Sequence, residues 1–183
     1  FVEEVKAPAT MTLMGLGVLA ASNKYSLGMV GMHGMYESNM AMHDCDVMIN
    51  IGARFDDRVT GRLDSFSPNS KKIHIDIDAS NVNKTIKIDV PIIGDIESIM
   101  TQLFNVWNKN RCSSQKEDLH KWWKKIDNWK KVDCLNYYQG KKTIKPQHAI
   151  KRLYELTKDK KTFITTEVGQ HQMWAAQYYK FEK

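Results

Sequence analysis

Five short segments of the chain combine glycine, arginine and acidic residues in a way that suits a bound nucleotide. Glycine lets the backbone approach a diphosphate closely, and arginine offers it a rigid fork of N–H donors. An acidic residue at the end of a strand can accept hydrogen bonds from ribose hydroxyls. The segments are residues 12–17 (TLMGLG), 31–34 (GMHG), 52–58 (GARFDDR), 76–78 (DID) and 94–95 (GD). Together they predict a dinucleotide site, although the GxGxxG fingerprint is absent.

Several of these residues also have a plainer interpretation. Arg54, Asp56, Asp57 and Arg58 can equally form a salt-bridge network on a loop, and both interpretations stay open at this point. Asp95 precedes a predicted helix, so its carboxylate can equally serve only as the N-cap of that helix.

His33 and Met32 are the other candidates for ligand contact. His33 lies between glycines, which are poor material for a hydrophobic core, so we favour a ligand or polar contact for its side chain. Eight of the ten methionines fall within the first 48 residues, where we expect them to fill gaps in the core. Only Met32, inside a glycine-rich loop, is expected to face a ligand. No metal site is expected, because the consecutive residues 43–46 (HDCD) cannot converge on one ion.

Short apolar runs bounded by turn residues predict the strands that would carry these segments: residues 10–13, 46–51, 72–78 and 90–93. Helices are predicted for residues 2–7, ended by Pro8, for residues 39–43, capped by Ser38, and for residues 96–107. Residues 27–34 are rich in glycine and are predicted to form a loop. Strands that alternate with helices indicate an α/β fold, with a Rossmann-like parallel sheet and flanking helices. Ligands of such a sheet bind at the carboxyl ends of its strands.

The chain changes character after Trp107. Residues 101–160 carry 15 Lys and Arg against 6 Asp and Glu, whereas the other residues carry 12 against 15. The stretch is also rich in tryptophan, so it could bind nucleic acid by phosphate contacts and base stacking. Trp122, Ile126 and Trp129 have helical spacing, however, and we favour a lysine-coated helix whose tryptophans pack on a neighbouring domain. Nucleic acid is therefore not an expected partner.

A second, partial α/β domain is predicted near the end of the chain. Pro146 suits the first turn of a helix, residues 161–166 are predicted to form a strand, and another helix follows Gly169. The 183 residues correspond to one domain and a fraction of another. The chain lacks an initiator methionine and starts inside a predicted helix, so we expect a piece of a longer protein.

Composition excludes several classes of protein. Hydrophobic residues make up 42% and charged residues 26% of the chain, which is typical of a globular protein. No apolar run approaches the roughly 18 residues of a membrane helix, and the first residues lack the basic segment and cleavage site of a signal peptide, so no membrane association is expected. Cys45, Cys112 and Cys134 are an odd number of cysteines without CxxC spacing, which favours a reducing compartment. We expect a cytoplasmic location, with a plastid as the alternative.

Six segments resemble, in this order, the catalytic subunit of acetohydroxyacid synthase (acetolactate synthase), an enzyme family that uses thiamine diphosphate. They are residues 11–17 (MTLMGLG), 27–34 (LGMVGMHG), 52–61 (GARFDDRVTG), 74–78 (HIDID), 94–95 (GD) and 168–177 (VGQHQMWAAQ). The resemblance implies a central FAD-binding domain at residues 1–107, incomplete at its N-terminus. It also implies a basic, helical linker at residues 108–143 and the truncated start of the thiamine-diphosphate-binding domain at residues 144–183.

The resemblance also implies a set of site residues. The FAD contacts of the family fall on Thr12, Leu13, Val30, Gly31, Met32, His33, Gly52, Ala53, Arg54, Phe55, Asp56, Arg58, Asp76, Ile77, Asp95 and Ile96. Leucine is more frequent in the family at the position of Val30. Gln170 and His171 match contacts to the phosphates of thiamine diphosphate, at a helix N-terminus that suits an anion. The channel that admits substrate and binds herbicidal inhibitors falls on Met32, Asp57 and Arg58.

The family's reaction decarboxylates pyruvate on thiamine diphosphate and joins the two-carbon unit to pyruvate or 2-ketobutyrate. It is the first common step of branched-chain amino-acid synthesis. The glutamate that activates the thiamine ring and the GDG…N motif that binds Mg²⁺ lie outside this chain. We therefore assign no catalytic residue to the chain and expect it to be inactive alone. The resemblance further implies a homodimer or homotetramer and a regulatory small subunit.

Two alternatives remain open. Another FAD- and thiamine-dependent 2-ketoacid enzyme, such as glyoxylate carboligase or pyruvate oxidase, would share this architecture. A non-catalytic nucleotide-binding module would account for the glycine and arginine loops without any reaction.

Overall fold

The computed structural model describes residues 1–110 and 115–182, so Cys112 lies outside the described residues. The strands are β1 (Ala9–Met11), β2 (Ser26–Met29), β3 (Val47–Ile51), β4 (Lys71–Asp76) and β5 (Val90–Ile93). The α-helices are α1 (Val2–Val5), α2 (Tyr36–Asp44), α3 (Asp57–Thr60), α4 (Ile96–Lys109), α5 (Gln115–Lys130), α6 (Pro146–Thr157) and α7 (Gln170–Tyr178). Short 3₁₀ turns occur at Leu13–Gly15, Leu63–Ser65 and Ala79–Asn81.

The strands are parallel and flanked by helices, which confirms the predicted α/β class. They form two sheets where a single one was expected: β1 pairs with β2, and β4 lies between β3 and β5. The side chains of His74 and Ile75, adjacent on β4, are fully buried, so this strand is covered on both faces. The carboxyl ends of β3, β4 and β5 meet along one edge of the larger sheet.

Several elements begin where the sequence predicts. β5 has the predicted bounds, and β3 starts one residue later than predicted. α4 begins directly after Asp95, whose Oδ2 accepts a hydrogen bond of 3.0 Å from the backbone N–H of Ser98. α6 starts at Pro146, and α7 starts at Gln170. The N-cap interpretation of Asp95 is thereby confirmed.

The glycine-rich segment that we predicted to be a loop is partly a strand. Its first part belongs to β2, which pairs with β1 and buries Leu27 and Met29, each 3% exposed. Gly28 adopts φ 78°, and the register between the two strands shifts in this region. The prediction was wrong because pairing and burial outweigh the weakening effect of a glycine inside a strand.

The helix predicted to follow Ser38 begins earlier. α2 starts at Tyr36, with Met35 at the N-cap position, so Ser38 lies inside the helix. The Ser38 side chain is fully buried, and its hydroxyl donates a hydrogen bond to the carbonyl oxygen of Leu27 in β2. A buried hydroxyl needs an acceptor, and the neighbouring strand supplies one, so Ser38 does not act as the predicted cap.

The predicted strand at residues 161–166 was also wrong. These residues have no regular secondary structure, and Phe163 among them is 83% exposed. A strand requires a neighbouring strand to satisfy its backbone N–H and C=O groups, and the described chain places none beside this segment. Smaller differences occur at β1, which ends at Met11 before the turn that contains Leu13, and at β4, which ends at Asp76.

The basic stretch forms a helix that packs on the first half of the chain, as the spacing of its tryptophans predicts. The cluster at this interface consists of Leu27, Ala41 and Ile126, with Trp122, Trp123 and Trp129 packed against it. Ile126 is fully buried, and the indole rings of Trp122 and Trp129 meet edge to face at 5.6 Å. The apolar face of α5 is therefore occupied by contacts with β2 and α2.

Within the described ranges, we find no helix that is both long and apolar enough to cross a membrane.

The burial of Ile126 predicts how much its side chain contributes to the stability of the chain. We expect Ile126→Ala to lower the free energy of unfolding of the chain by about 2–5 kcal/mol, because it leaves a cavity among packed side chains. Ile126→Val should lower it by about 0.5–1.5 kcal/mol. Urea unfolding followed by tryptophan fluorescence measures both values. Lys124→Ala, at an exposed position of the same helix, is the control. Equal unfolding midpoints for Ile126→Ala and Lys124→Ala would show that α5 is not packed in this way.

Candidate functional site

The first loop of the candidate site follows β2 and comprises residues 31–34, which we call the glycine loop. Asn39 of α2 clamps Gly31 on both sides of its backbone: Nδ2 donates to the Gly31 carbonyl oxygen at 2.9 Å, and Oδ1 accepts from the Gly31 N–H at 2.8 Å. The Gly34 N–H donates to the same carbonyl at 2.9 Å. The glycine loop is therefore a tight turn held by the helix that follows it. No sequence motif pointed to Asn39.

The second loop follows β3 and comprises residues 52–58, which we call the arginine loop. Asn50 binds the backbone of Ala53, with Nδ2 donating to its carbonyl oxygen at 2.7 Å. Phe55 is 6% exposed and meets the rings of His74 and Phe66 edge to face, at 5.1 and 5.9 Å. Its backbone adopts a left-handed conformation, φ 58°, which is unfavourable for a residue with a side chain. Burial of the Phe55 ring offsets that strain and anchors the arginine loop. Since the ring is buried, Phe55 can contact a ligand only through its backbone.

The two loops touch through their backbones. The Met32 N–H donates to the Arg58 carbonyl oxygen at 2.7 Å. Gly31 has φ 106°, and a Cβ at this position would lie 2.5 Å from the same oxygen. Such a distance is far inside van der Waals contact, so only glycine permits this approach. The glycine loop thus lies against the start of α3, where the arginine loop ends.

The charged side chains of the arginine loop form two exposed ion pairs. Arg54 Nη2 lies 3.0 Å from Asp56 Oδ2, and Arg58 Nη1 lies 3.3 Å from Asp57 Oδ2. All four side chains are at least half exposed. Exposed pairs of this kind contribute about 0–1 kcal/mol each, so a ligand can break them at little cost. Both interpretations of these residues are therefore compatible: they pair with one another and remain available to an anion.

A cavity of about 460 Å³ opens where the two loops meet. Its walls are formed by Gly31, Met32, Asn39, Met40, Met42, His43, Asp57, Arg58, Val59, Thr60, Gly61, Ser65, Phe66 and Ser67. The volume is within the range of about 300–1,000 Å³ that is common for small-molecule sites. The structure thus brings Met32, Asp57 and Arg58 together at one cavity. Met32 is 64% exposed there, which leaves its side chain available to a ligand.

The acidic residue at the end of β4 is buried. Asp76 is 5% exposed; its Oδ1 accepts from the Asp78 N–H at 2.9 Å, and its Oδ2 accepts from Asn81 Nδ2 at 3.3 Å. The carboxylate therefore holds the turn that follows the strand. The next residue, Ile77, is 71% exposed. A hydrogen bond from the Ser80 N–H lowers the pKa of Asp78, which stays ionised at neutral pH.

The start of α4 lies beside the start of the arginine loop. A Cβ on Gly52, which has φ 67°, would lie 3.1 Å from Ile96 Cδ1. Ile96 is 39% exposed, and one carboxylate oxygen of Asp95 accepts the N-cap hydrogen bond of α4. Gly52, Asp76 and Asp95 thus occupy the carboxyl ends of neighbouring strands, as the sequence pattern predicts for a parallel sheet.

Thr12, Leu13 and Val30 directly follow the two strands of the smaller sheet. Val30 is 8% exposed, and its N–H donates to the Met11 carbonyl oxygen at 2.9 Å. Thr12 and Leu13 begin the turn after β1 and are half-buried. The three residues stand at the carboxyl ends of β1 and β2, the sheet from which the glycine loop starts.

Gln170 and His171 lie in the first turn of α7, and both are exposed. The other end of this helix reaches the glycine loop: Gln177 Nε2 donates to the His33 carbonyl oxygen at 2.9 Å. The His33 side chain is exposed to solvent. Since Gln170 and Gln177 are seven residues apart, the helix separates them by about 10 Å. The structure therefore does not place Gln170 and His171 at the cavity.

A fully buried histidine lies beneath the strand ends. His74 Nε2 is 3.5 Å from Asp76 Oδ2, and neither ring nitrogen has a hydrogen-bond partner among the described residues. Buried polar atoms are rarely left without a partner, and they often mark a place where a water molecule or ligand binds. In the part of the chain that the structure covers, no group of three or more His, Cys, Asp or Glu could hold a metal ion.

The contact between the loops predicts an unequal effect of two glycine substitutions. Gly31 and Gly61 both have positive φ, but a Cβ on Gly61 would meet nothing within 4 Å. We expect Gly31→Ala to lower the free energy of unfolding by about 1–3 kcal/mol more than Gly61→Ala, because it adds steric overlap to the same backbone strain. Thermal and urea unfolding of the two variants measures this difference. Equal losses would mean that the loops do not touch at Gly31.

Comparison with known proteins relates this geometry to a family. Residues 1–103 match the family model described as the central domain of thiamine pyrophosphate enzymes. Along its whole length the chain is similar to large subunits of acetolactate synthase. It is 42% identical over 182 residues to the isozyme 3 large subunit of Escherichia coli (strain K12), covering 100% of the chain and 32% of that relative.

Two further relatives show the same extent of similarity. The acetolactate synthase large subunit of Buchnera aphidicola subsp. Schlechtendalia chinensis is 45% identical over 181 residues, which are 99% of the chain and 31% of that protein. The acetolactate synthase large subunit of Porphyra purpurea is 41% identical over 179 residues, 98% of the chain and 30% of that protein. The chain spans about a third of the length of these relatives. Because the family model covers more than half of it, the chain belongs to the thiamine pyrophosphate enzymes, and residues 1–103 are a central domain of that family.

Proposed function

We propose that the full-length protein is an acetolactate synthase, and that this chain is the part of it that binds FAD and shapes the substrate channel. In that reaction pyruvate is decarboxylated and its two-carbon unit is joined to pyruvate or 2-ketobutyrate. The observation that carries the proposal is the cavity between the glycine loop and the arginine loop. It gathers Met32, Asp57 and Arg58, the residues matched to the substrate channel, in a chain whose relatives are acetolactate synthases over its entire length.

The residues of the arginine loop and of the neighbouring strand ends suit a flavin dinucleotide. The exposed guanidinium group of Arg54 offers N–H donors to a negatively charged diphosphate, and glycine at position 52 lets the backbone of the arginine loop approach it closely. Arg54 uses one of its N–H donors for Asp56, so the others can bind phosphate oxygens. The strand ends at Asp76 and Asp95 would approach the ribose and adenine part. The cofactor would hold the loops in place and perform no net redox step.

Thiamine diphosphate, when bound, supplies the electron sink that allows pyruvate to lose carbon dioxide. In our proposal Gln170 and His171, at the N-terminus of α7, hold its phosphates, since the N-terminal end of a helix favours an anion. Mg²⁺ would be bound by residues outside this chain. Arg58 would attract the carboxylate of the 2-ketoacid, and Met32 would form an apolar wall that limits the entry of water.

The alternatives are less well supported. Glyoxylate carboligase and pyruvate oxidase use similar cofactors, but the relatives compared above are acetolactate synthases over nearly all of the chain. A nucleic-acid-binding role for the basic stretch would need accessible tryptophans, whereas Trp122, Trp123 and Trp129 pack on the core cluster.

The relatives are named large subunits, which supports a regulatory small subunit as partner of the full-length protein. We also propose that the full-length protein forms a dimer or tetramer of its own.

The proposal predicts a specific product. The full-length protein, supplied with pyruvate, thiamine diphosphate, Mg²⁺ and FAD, should form acetolactate, measured as acetoin after acid decarboxylation. Parallel assays should detect neither consumption of oxygen with pyruvate nor release of carbon dioxide from glyoxylate alone. Oxygen consumption would instead indicate a pyruvate oxidase, and release from glyoxylate a carboligase of that substrate. Either result without acetolactate would overturn the proposal.

The same assay tests the role of the chain by itself. We expect the 183-residue chain to form no acetolactate under these conditions, because the family resemblance assigns the activating glutamate and the Mg²⁺ ligands to other parts of the full-length protein. Turnover of pyruvate by the chain alone would show that its own residues suffice for catalysis.

Arg54→Met in the full-length protein should weaken FAD binding, because it removes the fork of donors from the diphosphate site.

A further inference from the structure

The glycine loop is held by three separate parts of the molecule. Asn39 of α2 binds both sides of Gly31, and the Arg58 carbonyl accepts from the Met32 N–H. These two contacts join residues that lie within 30 positions of each other. The third contact comes from Gln177 of α7, 144 residues away from His33, whose carbonyl oxygen accepts from Gln177 Nε2 at 2.9 Å.

The helix that carries Gln177 is itself firmly placed. Ala175, Ala176 and Tyr178 of α7 are buried. The Tyr178 hydroxyl donates to the Leu135 carbonyl oxygen at 3.1 Å. Tyr179, directly after the helix, meets the ring of Tyr154 edge to face at 5.4 Å. A side chain on such an anchored helix has a defined position, so its hydrogen bond can define the position of a loop.

We propose that Gln177 is a positioning residue for the cofactor and substrate site. By holding the His33 carbonyl it fixes the glycine loop between α7 and the arginine loop. It thereby sets where Met32 stands at the cavity and where the backbone of residues 31–33 meets the flavin. The inference rests on the proposed function, because it takes a flavin dinucleotide as the ligand of these loops.

This role has consequences that differ from those of a residue needed for folding. A single exposed hydrogen bond contributes little to global stability, so its loss should leave the fold intact. The glycine loop, however, would lose the side-chain hydrogen bond that links it to α7 in the described part of the chain, and it would sample other positions. A more mobile loop must be ordered again when the flavin binds, which weakens binding without removing any direct contact.

The test uses the full-length protein with three substitutions. Gln177→Met keeps the length of the side chain and removes the donor. Gln177→Glu keeps its shape but presents a carboxylate to the His33 carbonyl. Gln102→Met is the matched control, because Gln102 also donates an exposed hydrogen bond, to Ser98 Oγ at 3.2 Å, on the distant helix α4.

Four measurements separate the effect of Gln177 on the loop from its effects on flavin binding and on folding. Hydrogen exchange in the cofactor-free protein reports on the loop, where the amides of Gly31, Met32 and Gly34 are hydrogen-bonded. We expect these amides to exchange about three- to tenfold faster in Gln177→Met than in wild type. Quenching of flavin fluorescence should show FAD binding weakened by about the same factor, and more strongly in Gln177→Glu. The near-ultraviolet circular dichroism of the bound flavin should change, while the unfolding midpoint stays that of Gln102→Met.

The outcomes are distinct. Unchanged exchange in the glycine loop of Gln177→Met, or unchanged flavin affinity despite faster exchange, would overturn the positioning role. A large fall in the unfolding midpoint would overturn it as well, because Gln177 would then be needed for folding. Failure of wild type to bind FAD would refute the proposed function, whereas the exchange measurement would still decide whether Gln177 holds the loop.

Discussion

The glycine loop and the arginine loop can share one cavity only because Gly31 has no side chain. A Cβ there would lie 2.5 Å from the Arg58 carbonyl oxygen, the same oxygen that accepts the Met32 N–H. A separate residue holds each loop in the conformation that allows this contact. Asn39 clamps the backbone of the glycine loop, and the buried ring of Phe55 fixes the arginine loop on β4. The two sheets supply the loops, and this backbone contact joins them at one site.

The site could be predicted from the sequence where its signals are local. The apolar run of β3, the carboxylate of Asp95 before a helix, and the glycines and arginines between strands each act within a few residues. They identified β3, β5, α4 and the loops that follow the strands. β2 was missed because its stability depends on pairing with β1, which outweighs the presence of Gly28. Ser38 was misassigned because its acceptor, the Leu27 carbonyl, lies on that same strand.

The contacts that position the site leave weaker traces in the sequence. Asn39 and Gln177 belong to no recognisable motif, and only the folded chain shows that both bind the glycine loop. Gln177 and its acceptor His33 are 144 residues apart in the sequence. The expected strand at residues 161–166 fails for a related reason. Its pattern suits a strand, but a strand forms only beside a neighbour. Local pattern therefore predicts which segments carry chemistry, and tertiary contact decides how they are held.

The uneven charge of the chain also has a structural explanation. α5 carries lysines on its outer face and tryptophans on its inner face, and the inner face packs on β2 and α2. Lys125 takes part in this packing, since it pairs with Asp44 of α2 and lies over the rings of Trp122 and Trp129, 5.9 and 5.4 Å from their centroids. The tryptophans thus serve an interface within the chain.

The central claim is that the two loops and the neighbouring strand ends form one flavin site. A crystal structure of the full-length protein with FAD bound tests it most directly. We expect the flavin dinucleotide to run from the glycine loop along the arginine loop toward the strand ends at Asp76 and Asp95, with its diphosphate against the backbone of residues 52–54 and the Arg54 guanidinium. FAD bound away from both loops, or a diphosphate that contacts neither Arg54 nor the glycines, would contradict the claim.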